Sequence, residues 1–225
     1  MSDPLTLLTI AVLGGTGKEG RGIAYRLAKA GYRILIGSRS PEKAIVAASD
    51  IVQLLDNASS IIGMSNLEAA LKSDVSFLTV PYTAHKDTLE SVKDALKGKI
   101  LIDVTVPLNP PKVARVNIPS AGSAAQEARQ ILGEEAEIAS AFQNIPHELL
   151  LQDIDIECDV LVTGTSKETR NKALKLVEAA GLQGWDAGSI ENSVVIEGLT
   201  SVLININKRY GSTHAGVKIT GVRKV

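Results

Sequence analysis

The sequence predicts an α/β fold, a doubly wound parallel sheet with helices on both faces and a small C-terminal α/β portion. Short runs rich in Val, Ile and Leu alternate along the chain with segments whose apolar residues recur at helical spacing. This alternation is typical of parallel strands joined by crossover helices. The 225 residues are 44% hydrophobic and 22% charged, which suits one large domain with a small appendage.

In the first half of the chain, the predicted elements follow one another directly. Residues 7–13 form an apolar run that predicts a strand, and the helical period of residues 21–30 ends at Gly31. Ser40 followed by Pro41 is typical of a helix start, because Ser caps free backbone N–H groups and Pro fits the first turn. The helix that begins at Ser40 and Pro41 is predicted to end at about residue 55. The other elements predicted here are a strand at 33–37, a short helix at 67–71, a strand at 75–80, a helix at about 84–96 and a strand at 99–104.

The second half of the chain begins with a proline-rich stretch. Residues 107–119 lack periodicity, so we expect a long surface loop there. Beyond it the alternation resumes, without a repeat or a flexible linker, and we divide the chain into a main domain at residues 1–146 and a smaller portion at residues 147–225 packed on it. The elements predicted in this half are a helix at 121–132, strands at 136–142 and 159–164, a helix at 167–180, a strand at 183–187 and a helix at about 190–209.

Composition and charge exclude several classes of function. A net charge of −1 and a pI near 6.3 leave no basic footprint for nucleic acid, and 3% aromatic residues provide no stacking platform. A single cysteine, Cys158, excludes an intrachain disulfide framework and a Cys-based zinc site. No apolar run approaches the roughly 18 residues of a membrane span, and residues 1–4 lack the basic region of a secretory signal. We expect a soluble, cytoplasmic protein whose partners are small molecules.

The glycine-rich turn at residues 15–20 is the strongest motif. It fits G-x-G-x-x-G, follows a predicted strand and precedes a predicted helix, as in Rossmann-type dinucleotide-binding domains. Gly15 is expected to permit the tight turn, Gly17 the close approach of a pyrophosphate, and Gly20 the contact between helix and sheet. A P-loop is excluded, because Lys18 is followed by Glu19 where Ser or Thr should coordinate magnesium. The loop therefore predicts dinucleotide binding within residues 1–146, and the family resemblance given below implies that this range is a Rossmann domain.

The end of the second predicted strand distinguishes NAD from NADP. An NAD site places Asp or Glu there to bind the ribose 2′-OH, whereas this chain has Gly37, Ser38, Arg39 and Ser40. Arg39 can engage a 2′-phosphate with its planar fork of donors, and Ser38 adds a hydroxyl. Lys43 lies one helical turn beyond Arg39. This pattern favours NADP.

Other polar residues give no catalytic constellation. Tyr82 and Lys86 match the Y-x-x-x-K pair of short-chain dehydrogenases, but they directly follow the strand at 75–80 instead of lying on a later helix, so we treat the match as coincidence. His85 and His214 are expected at the surface without a role. With no metal-spaced His cluster and no Ser-His-Asp set, we assign no catalytic residue and no metal ligand.

Further segments complete a family resemblance. With the glycine loop and the Ser38-Arg39 pair, they make the chain resemble the NADPH-dependent reductases of coenzyme F420, also called F420-dependent NADP oxidoreductases, over nearly its whole length. The segments that carry the resemblance are Ala11 to Gly17 with Gly20, Gly37 to Arg39, Glu42 to Ala44, Ile62 to Asn66, Leu78 to Pro81, Ser140-Ala141, Ile145-Pro146, Trp185 to Gly188, Asn192-Ser193 and Glu197 to Thr200.

The resemblance implies a homodimer or larger homo-oligomer that transfers a hydride directly between NADPH and the 5-deazaflavin coenzyme F420. It also places His147 near NADP, and it places Gln143 and Thr200 on the deazaflavin side, where Gln143 could donate an amide hydrogen bond to a ring carbonyl. The NADP contacts it implies are Gly15, Thr16, Gly17, Lys18, Glu19, Ser38, Arg39, Lys43, Val80, Ala84, Val106 and His147. Transfer between two flat rings needs close stacking and exclusion of water, with no nucleophile, metal or obligatory general acid.

The chain departs from the family pattern at three positions expected on the deazaflavin side. Gln143 stands where family members carry His, Val194 where they carry Arg, and Gly198 where they carry Ser. Two alternatives therefore stay open at this point. One is an NADP-dependent reductase of another acceptor, such as a flavin, a ferric chelate or an imine. The other is a non-catalytic NADPH-sensing protein.

Overall fold

The computed structural model describes residues 8–55 and 60–222. Within these residues, eight strands and eight α-helices follow in chain order, with short 3-10 turns before and after α4 and before α8. The elements are β1 (Thr9–Leu13), α1 (Lys18–Lys29), β2 (Arg33–Ser38), α2 (Pro41–Leu54), β3 (Ile61–Ser65), α3 (Asn66–Lys72), β4 (Val75–Leu78), α4 (His85–Val92), β5 (Ile100–Asp103), α5 (Ala124–Leu132), β6 (Glu137–Ser140), α6 (His147–Leu150), β7 (Asp159–Gly164), α7 (Lys167–Ala179), β8 (Gln183–Ser189) and α8 (Ser193–Tyr210).

All eight strands form one sheet in the order β3-β2-β1-β4-β5-β6-β7-β8. The strand order reverses between β1 and β4, which opens a crevice at the carboxyl ends of these strands. Strands β1 to β6 are parallel, as predicted, but β7 is antiparallel to β6, with Ser140 opposite Thr163, and β8 is parallel to β7. The chain between β6 and β7 carries only the one-turn helix α6, so it does not return to the end of the sheet where β6 begins. Strand β7 therefore starts beside the carboxyl end of β6 and runs antiparallel to it.

The core lies on both faces of the sheet. Along β1, Ile10 and Val12 pack on the side of α1, α2 and α7, whereas Ala11 and Leu13 pack on the side of α3, α4 and α5. This alternation follows from the two-residue period of a strand. None of the helices in the described part of the chain is both long and apolar enough to span a membrane.

Most predicted elements are confirmed within a few residues, and two were missed. Strand β3 was not predicted because Gly63 interrupts its apolar run and Ile62 is exposed. A Cβ on Gly63 would lie 2.2 Å from the backbone of Ala44, so the glycine lets α2 pack directly on β3. The helix α6 is too short to show a period. Between β5 and α5 the chain forms neither helix nor strand, as predicted, and Leu7 of the first predicted strand lies outside the described residues.

After α8, a C-terminal tail (residues 211–222) returns along β7. The backbone N–H of Asp159 donates to the carbonyl of Val217 at 2.7 Å, and the N–H of Ile219 donates to Oδ2 of Asp159 at 2.7 Å. A Cβ on Gly216 would lie 2.5 Å from Sγ of Cys158, which is buried beneath it. The tail is thereby fixed against the sheet at the same edge as the crevice.

Candidate functional site

The glycine loop forms the turn between β1 and α1. Gly14 adopts φ +75°, a conformation that favours glycine, and a Cβ there would lie 2.5 Å from Cγ1 of Val80. The N–H of Gly15 donates to the carbonyls of Val12 at 3.1 Å and Gly37 at 3.0 Å. The left-handed residue of the tight turn is thus Gly14, one position before the glycine to which the motif assigned it.

The other two motif glycines lie where the motif predicts. Gly20 brings α1 against the sheet, since a Cβ there would lie 2.5 Å from Oγ1 of Thr79 and 2.7 Å from Cα of Gly15. Gly17 is the N-cap of α1 and is exposed, and no side chain caps the first turn. The free N–H groups at this end of the helix favour an anion.

A cavity of about 700 Å³ begins at this helix start. It lies at the carboxyl ends of β4, β5 and β6 and is closed by α8 and the C-terminal tail. Eight of the predicted site residues line it, which are Gly17, Lys18, Glu19, Val80, Val106, Gln143, His147 and Thr200.

The residues predicted for the 2′-phosphate lie on the other side of the glycine loop, at the end of β2. Ser38 is buried there, and its hydroxyl accepts from the N–H of Ser40 at 3.2 Å. Arg39 and Lys43 are exposed, and neither forms an ion pair with any described residue. Their charges therefore remain available to an anion. Gly15, Thr16 and Ala84 also lie outside the cavity lining.

Ionisable side chains line the cavity near α1. Oε1 of Glu19 is buried and has no hydrogen-bond partner in the described structure. Burial, followed by the neighbouring carboxylate of Glu148, raises the pKa of Glu19 to about 8. Nε2 of His147 lies 3.2 Å from Oε1 of Glu148. Lys18 adds a cation at the same end of the cavity.

The side-chain amide of Gln143 has a fixed orientation in the cavity wall. Its Nε2 donates to the main-chain carbonyl of Asp103 at 2.8 Å and to Oγ of Ser140 at 2.8 Å. Both N–H groups are therefore engaged inside the protein. The expectation that Gln143 donates to a ring carbonyl was wrong, and its free polar atom is the acceptor Oε1.

Asn144 and Thr200 show the same arrangement. Nδ2 of Asn144 donates to the carbonyl of Ile196 at 3.0 Å and to Oγ1 of Thr200 at 3.1 Å. The hydroxyl of Thr200 donates to the carbonyl of Gln143 at 2.8 Å. Thr200 lines the cavity, while its hydroxyl serves the protein's own hydrogen bonds.

The backbone before Gln143 is strained. Phe142 is the non-glycine residue with positive φ in the described chain, at 73°. Its buried ring meets that of Phe77 edge to face at 5.9 Å between centroids. The ring contact holds a conformation that costs about 1–3 kcal/mol, and such strain is found at binding sites. It directs residues 143 and 144 towards the cavity wall.

His85 is buried, not at the surface as expected. Its Nε2 lies 2.8 Å from Oδ2 of Asp103 and its Nδ1 lies 3.0 Å from Oε1 of Glu127, whose other oxygen accepts from the Tyr82 hydroxyl at 2.6 Å. Burial lowers the pKa of His85, but the two carboxylates outweigh it and raise the pKa to about 9. Lys86 is exposed near Glu90, which agrees with treating the Tyr-Lys match as coincidence.

Two positions expected beside the deazaflavin do not line the cavity. Among the described residues that line the cavity, neither Val194 nor Gly198 is present. A Cβ on Gly198 would meet Cγ1 of Val116 at 3.4 Å, so this face of α8 packs on the long loop. Their departures from the family pattern therefore do not alter the cavity wall.

Sequence reasoning missed most of the α8 contribution. The cavity-lining residues of this helix recur at the spacing of one helical face, and that spacing was the available signal. They are Thr200, Leu203, Ile204, Asn207 and Lys208.

Comparisons with known proteins include matches to F420-dependent NADP reductases over nearly the whole chain. Residues 9–107 match the sequence model of the family described as NADP oxidoreductase, coenzyme F420-dependent. The chain is 38% identical to the F420-dependent NADP reductase of Methanocaldococcus jannaschii and 39% identical to that of Methanothermobacter marburgensis, in each case over 96% of this chain and 99% of the relative. The crystal structure of a candidate F420-dependent NADP reductase from Arthrobacter sp. FB24 superposes with a TM-score of 0.81 at 23% identity, covering 95% of this chain and 99% of the other, which shows the same fold.

Proposed function

Because the chain belongs to the family of F420-dependent NADP oxidoreductases, we propose that it transfers a hydride directly between NADPH and coenzyme F420 within the cavity described above. The observation that carries the proposal is the continuity of this cavity, from the start of α1 at Gly17 to the face of α8 at Thr200. A dinucleotide and a second ring can therefore meet in one space. NADPH supplies the hydride and the deazaflavin ring takes it up.

The glycine loop and the end of β2 would hold the dinucleotide. The uncapped start of α1 at Gly17 suits the pyrophosphate, since its N–H groups have no side-chain partner. Ser38, Arg39 and Lys43 suit the 2′-phosphate, because Arg39 and Lys43 are exposed cations that form no ion pair with a described residue. Residues 37–40 at the strand end also include no carboxylate.

The apolar part of the cavity would hold the two rings. Val80 and Val106 line it from the strand ends, and Leu203 lines it from α8. Apolar walls exclude water and strengthen the electrostatic interactions inside, while the rings need only to be held in contact. The hydride leaves a nicotinamide carbon and adds to a deazaflavin carbon, and the one proton that balances the reduced deazaflavin is taken up at a ring nitrogen from solvent. The proposal therefore assigns no acid or base to the chain.

A second copy of the chain is part of the proposal. On the solvent side of α8, the apolar residues Val195, Val202 and Ile206 recur at helical spacing and are 63%, 46% and 38% exposed. A stripe of this kind is typical of an interface. It supports a homodimer, and a monomeric mass in sedimentation would argue against one.

Two further statements belong to the proposal. Residues 1–146 would form the NADP-binding domain and residues 147–225 the smaller portion, since the glycine loop and Arg39 lie in the first range and α8 in the second. A cytoplasmic location is supported by the single cysteine, which suits a reducing compartment.

Absorbance tests the proposed reaction. Purified protein mixed with NADPH and oxidised F420 should bleach the visible band of the deazaflavin, and NADH should do so far more slowly. Gly17→Val should abolish bleaching: a Cβ at Gly17 has room, 3.6 Å from the carbonyl of Gly14, but the larger side chain would occupy the space proposed for the pyrophosphate. NADPH binding without bleaching would contradict F420 as the acceptor. That result would favour one of the two alternatives, a reductase of another acceptor or a non-catalytic NADPH sensor.

A further inference from the structure

Two adjacent amide oxygens in the cavity wall are buried and lack a hydrogen-bond donor. They are Oε1 of Gln143 and Oδ1 of Asn144, and no described group donates to either. The two residues are 7% and 5% exposed, and both line the cavity. Buried polar atoms are almost always paired, so two adjacent unpaired ones in a binding cavity indicate a partner supplied by a ligand.

The identity of these atoms as oxygens follows from their neighbours. Nε2 of Gln143 faces the main-chain carbonyl of Asp103, and Nδ2 of Asn144 faces that of Ile196. A carbonyl oxygen can only accept, so turning either amide over would place oxygen against oxygen. The free ends of both amides are therefore acceptors.

Thr200, the third polar residue of this part of the wall, offers no competing donor. The hydroxyl proton of Thr200 is given to the carbonyl of Gln143, and a carbonyl accepts only. The wall at residues 143, 144 and 200 thus accepts hydrogen bonds from a ligand and donates none with its side chains.

We propose that Gln143 Oε1 and Asn144 Oδ1 form an acceptor pair that selects ring ligands carrying an amide or imide N–H. This inference rests on the proposed function and adds the chemistry by which the ring is recognised. Two sources supply such a group, the imide N–H of the deazaflavin and the carboxamide N–H2 of the nicotinamide. A ring without the donor leaves a buried acceptor unpaired, and sites of this kind discriminate strongly against the analogue that lacks the group.

The acceptor pair also gives the Gln143 position a physical role of its own. A side chain at 143 that offered a donor would favour a ring carbonyl, whereas Gln143, with its N–H groups held by Asp103 and Ser140, favours the ring N–H beside that carbonyl. This chain would therefore bind the same class of ring as a protein with a donor at position 143, but through the N–H of the ring instead of its carbonyl oxygen.

Equilibrium binding with matched analogues tests the pair. One arm compares F420 with F420 methylated at the imide nitrogen, followed by deazaflavin fluorescence. The other arm compares NADPH with the analogue whose carboxamide is replaced by an acetyl group, followed by dihydropyridine fluorescence. We expect wild-type protein to bind the N–H ligand at least about ten-fold more tightly in one arm or both, and the arm that discriminates identifies the source.

Variants connect the discrimination to the residues. Gln143→Met keeps the length of the side chain and removes the amide, and Asn144→Leu does the same at the neighbouring position. Each variant should reduce the preference for the N–H ligand over its analogue to about two-fold or less, in whichever comparison, F420 or NADPH, involves the substituted residue. Gln130→Met on the exposed side of α5 is the matched control and should leave both arms unchanged.

Equal affinities of wild-type protein for both ligands in both arms would overturn the proposal without any variant. So would a preference that survives both substitutions. If wild-type protein bleaches F420 but shows no discrimination, the acceptor pair fails and the proposed reaction stands. If it discriminates in the NADPH arm and neither binds nor reduces F420, the proposed reaction fails and the acceptor pair stands.

Discussion

Nε2 of His85 lies 2.8 Å from Oδ2 of Asp103, and neither side chain is exposed to solvent. Because Nδ1 of the same ring faces Glu127, both ring nitrogens meet a carboxylate and the ring carries a charge. The other oxygen of Asp103 accepts from the N–H of Thr105 at 2.9 Å, and its main-chain carbonyl holds Gln143. The imidazolium therefore supports a cavity wall that it does not itself line.

Removing the imidazolium should destabilise the fold. His85→Leu leaves the carboxylate of Asp103 buried without its cation, and we expect the free energy of unfolding to fall by about 3–5 kcal/mol in urea at neutral pH. The exposed His214→Leu is the control and should change it by less than about 0.5 kcal/mol. A loss below about 1 kcal/mol for His85→Leu would show that the pair is neutral in the fold.

The same ring should make stability depend on pH. A histidine whose pKa is raised from 6.5 to about 9 in the folded state stabilises fully below pH 6.5, and its contribution is lost as the pH rises through about 9. The gap in unfolding free energy between wild-type protein and His85→Leu should therefore narrow by about 3 kcal/mol between pH 6.5 and pH 10. Unfolding curves across this range measure it, and a gap independent of pH would contradict a charged ring.

Glu19 should make NADPH binding depend on pH. Its pKa is raised to about 8, so the carboxyl is mainly neutral at pH 7 and becomes an anion beside the proposed pyrophosphate site at pH 9. We expect NADPH affinity to fall about ten-fold over that interval, and Glu19→Gln to remove most of the fall. Fluorescence titrations with NADPH at both pH values measure this fall in affinity. An equal fall in wild-type protein and in Glu19→Gln would show that another group causes it.

Arg39 should determine the choice of nucleotide. Arg39→Glu replaces an unpaired cation with an anion, so we expect NADPH affinity to fall about 100-fold and NADH affinity to change less than about three-fold. Arg33→Glu makes the same charge change at the opposite end of β2, and both affinities should stay near those of the wild type. Equal losses for the two nucleotides in Arg39→Glu would contradict the 2′-phosphate assignment.

Arg26 should hold the segment that carries His147. Its guanidinium is nearly buried and donates to main-chain carbonyls at the end of α6 and just after it, among them Leu150 at 3.0 Å and Gln152 at 2.7 Å. Arg26→Met keeps the apolar stem but leaves these carbonyls unpaired, so we expect a loss of about 2–4 kcal/mol in urea unfolding. Arg33→Met, at an exposed arginine, should cost less than about 0.5 kcal/mol.

The glycine loop and the alternation of strands and helices could be predicted because they are local. Gly20 needs to be small for α1 to approach the sheet, and that need is written into the spacing of the motif. The reversal of β7 could not be predicted in the same way. A strand buried on both faces has the same apolar pattern in either direction, and direction depends on the path between strands.

The polar part of the candidate site was the least predictable. His85 lies four residues before Leu89 and seven before Val92 on one buried helical face, a spacing that did indicate burial. Its carboxylate partners come from distant parts of the chain, so no local sequence pattern predicted them. For Gln143, the residue type permits both donation and acceptance, and only the position of the Asp103 carbonyl settles which atom faces inward.

The C-terminal tail gives the protein a chemical reporter of its own motion. Cys158 is the single thiol of the sequence, and burial raises its pKa, so alkylating reagents reach it slowly while Gly216 lies over the sulfur. Ser212 and Thr213 of the same tail line the cavity. The rate of alkylation at Cys158 therefore reports how often the tail moves away from the sulfur. A ligand that fills the cavity should slow the alkylation in proportion to its occupancy.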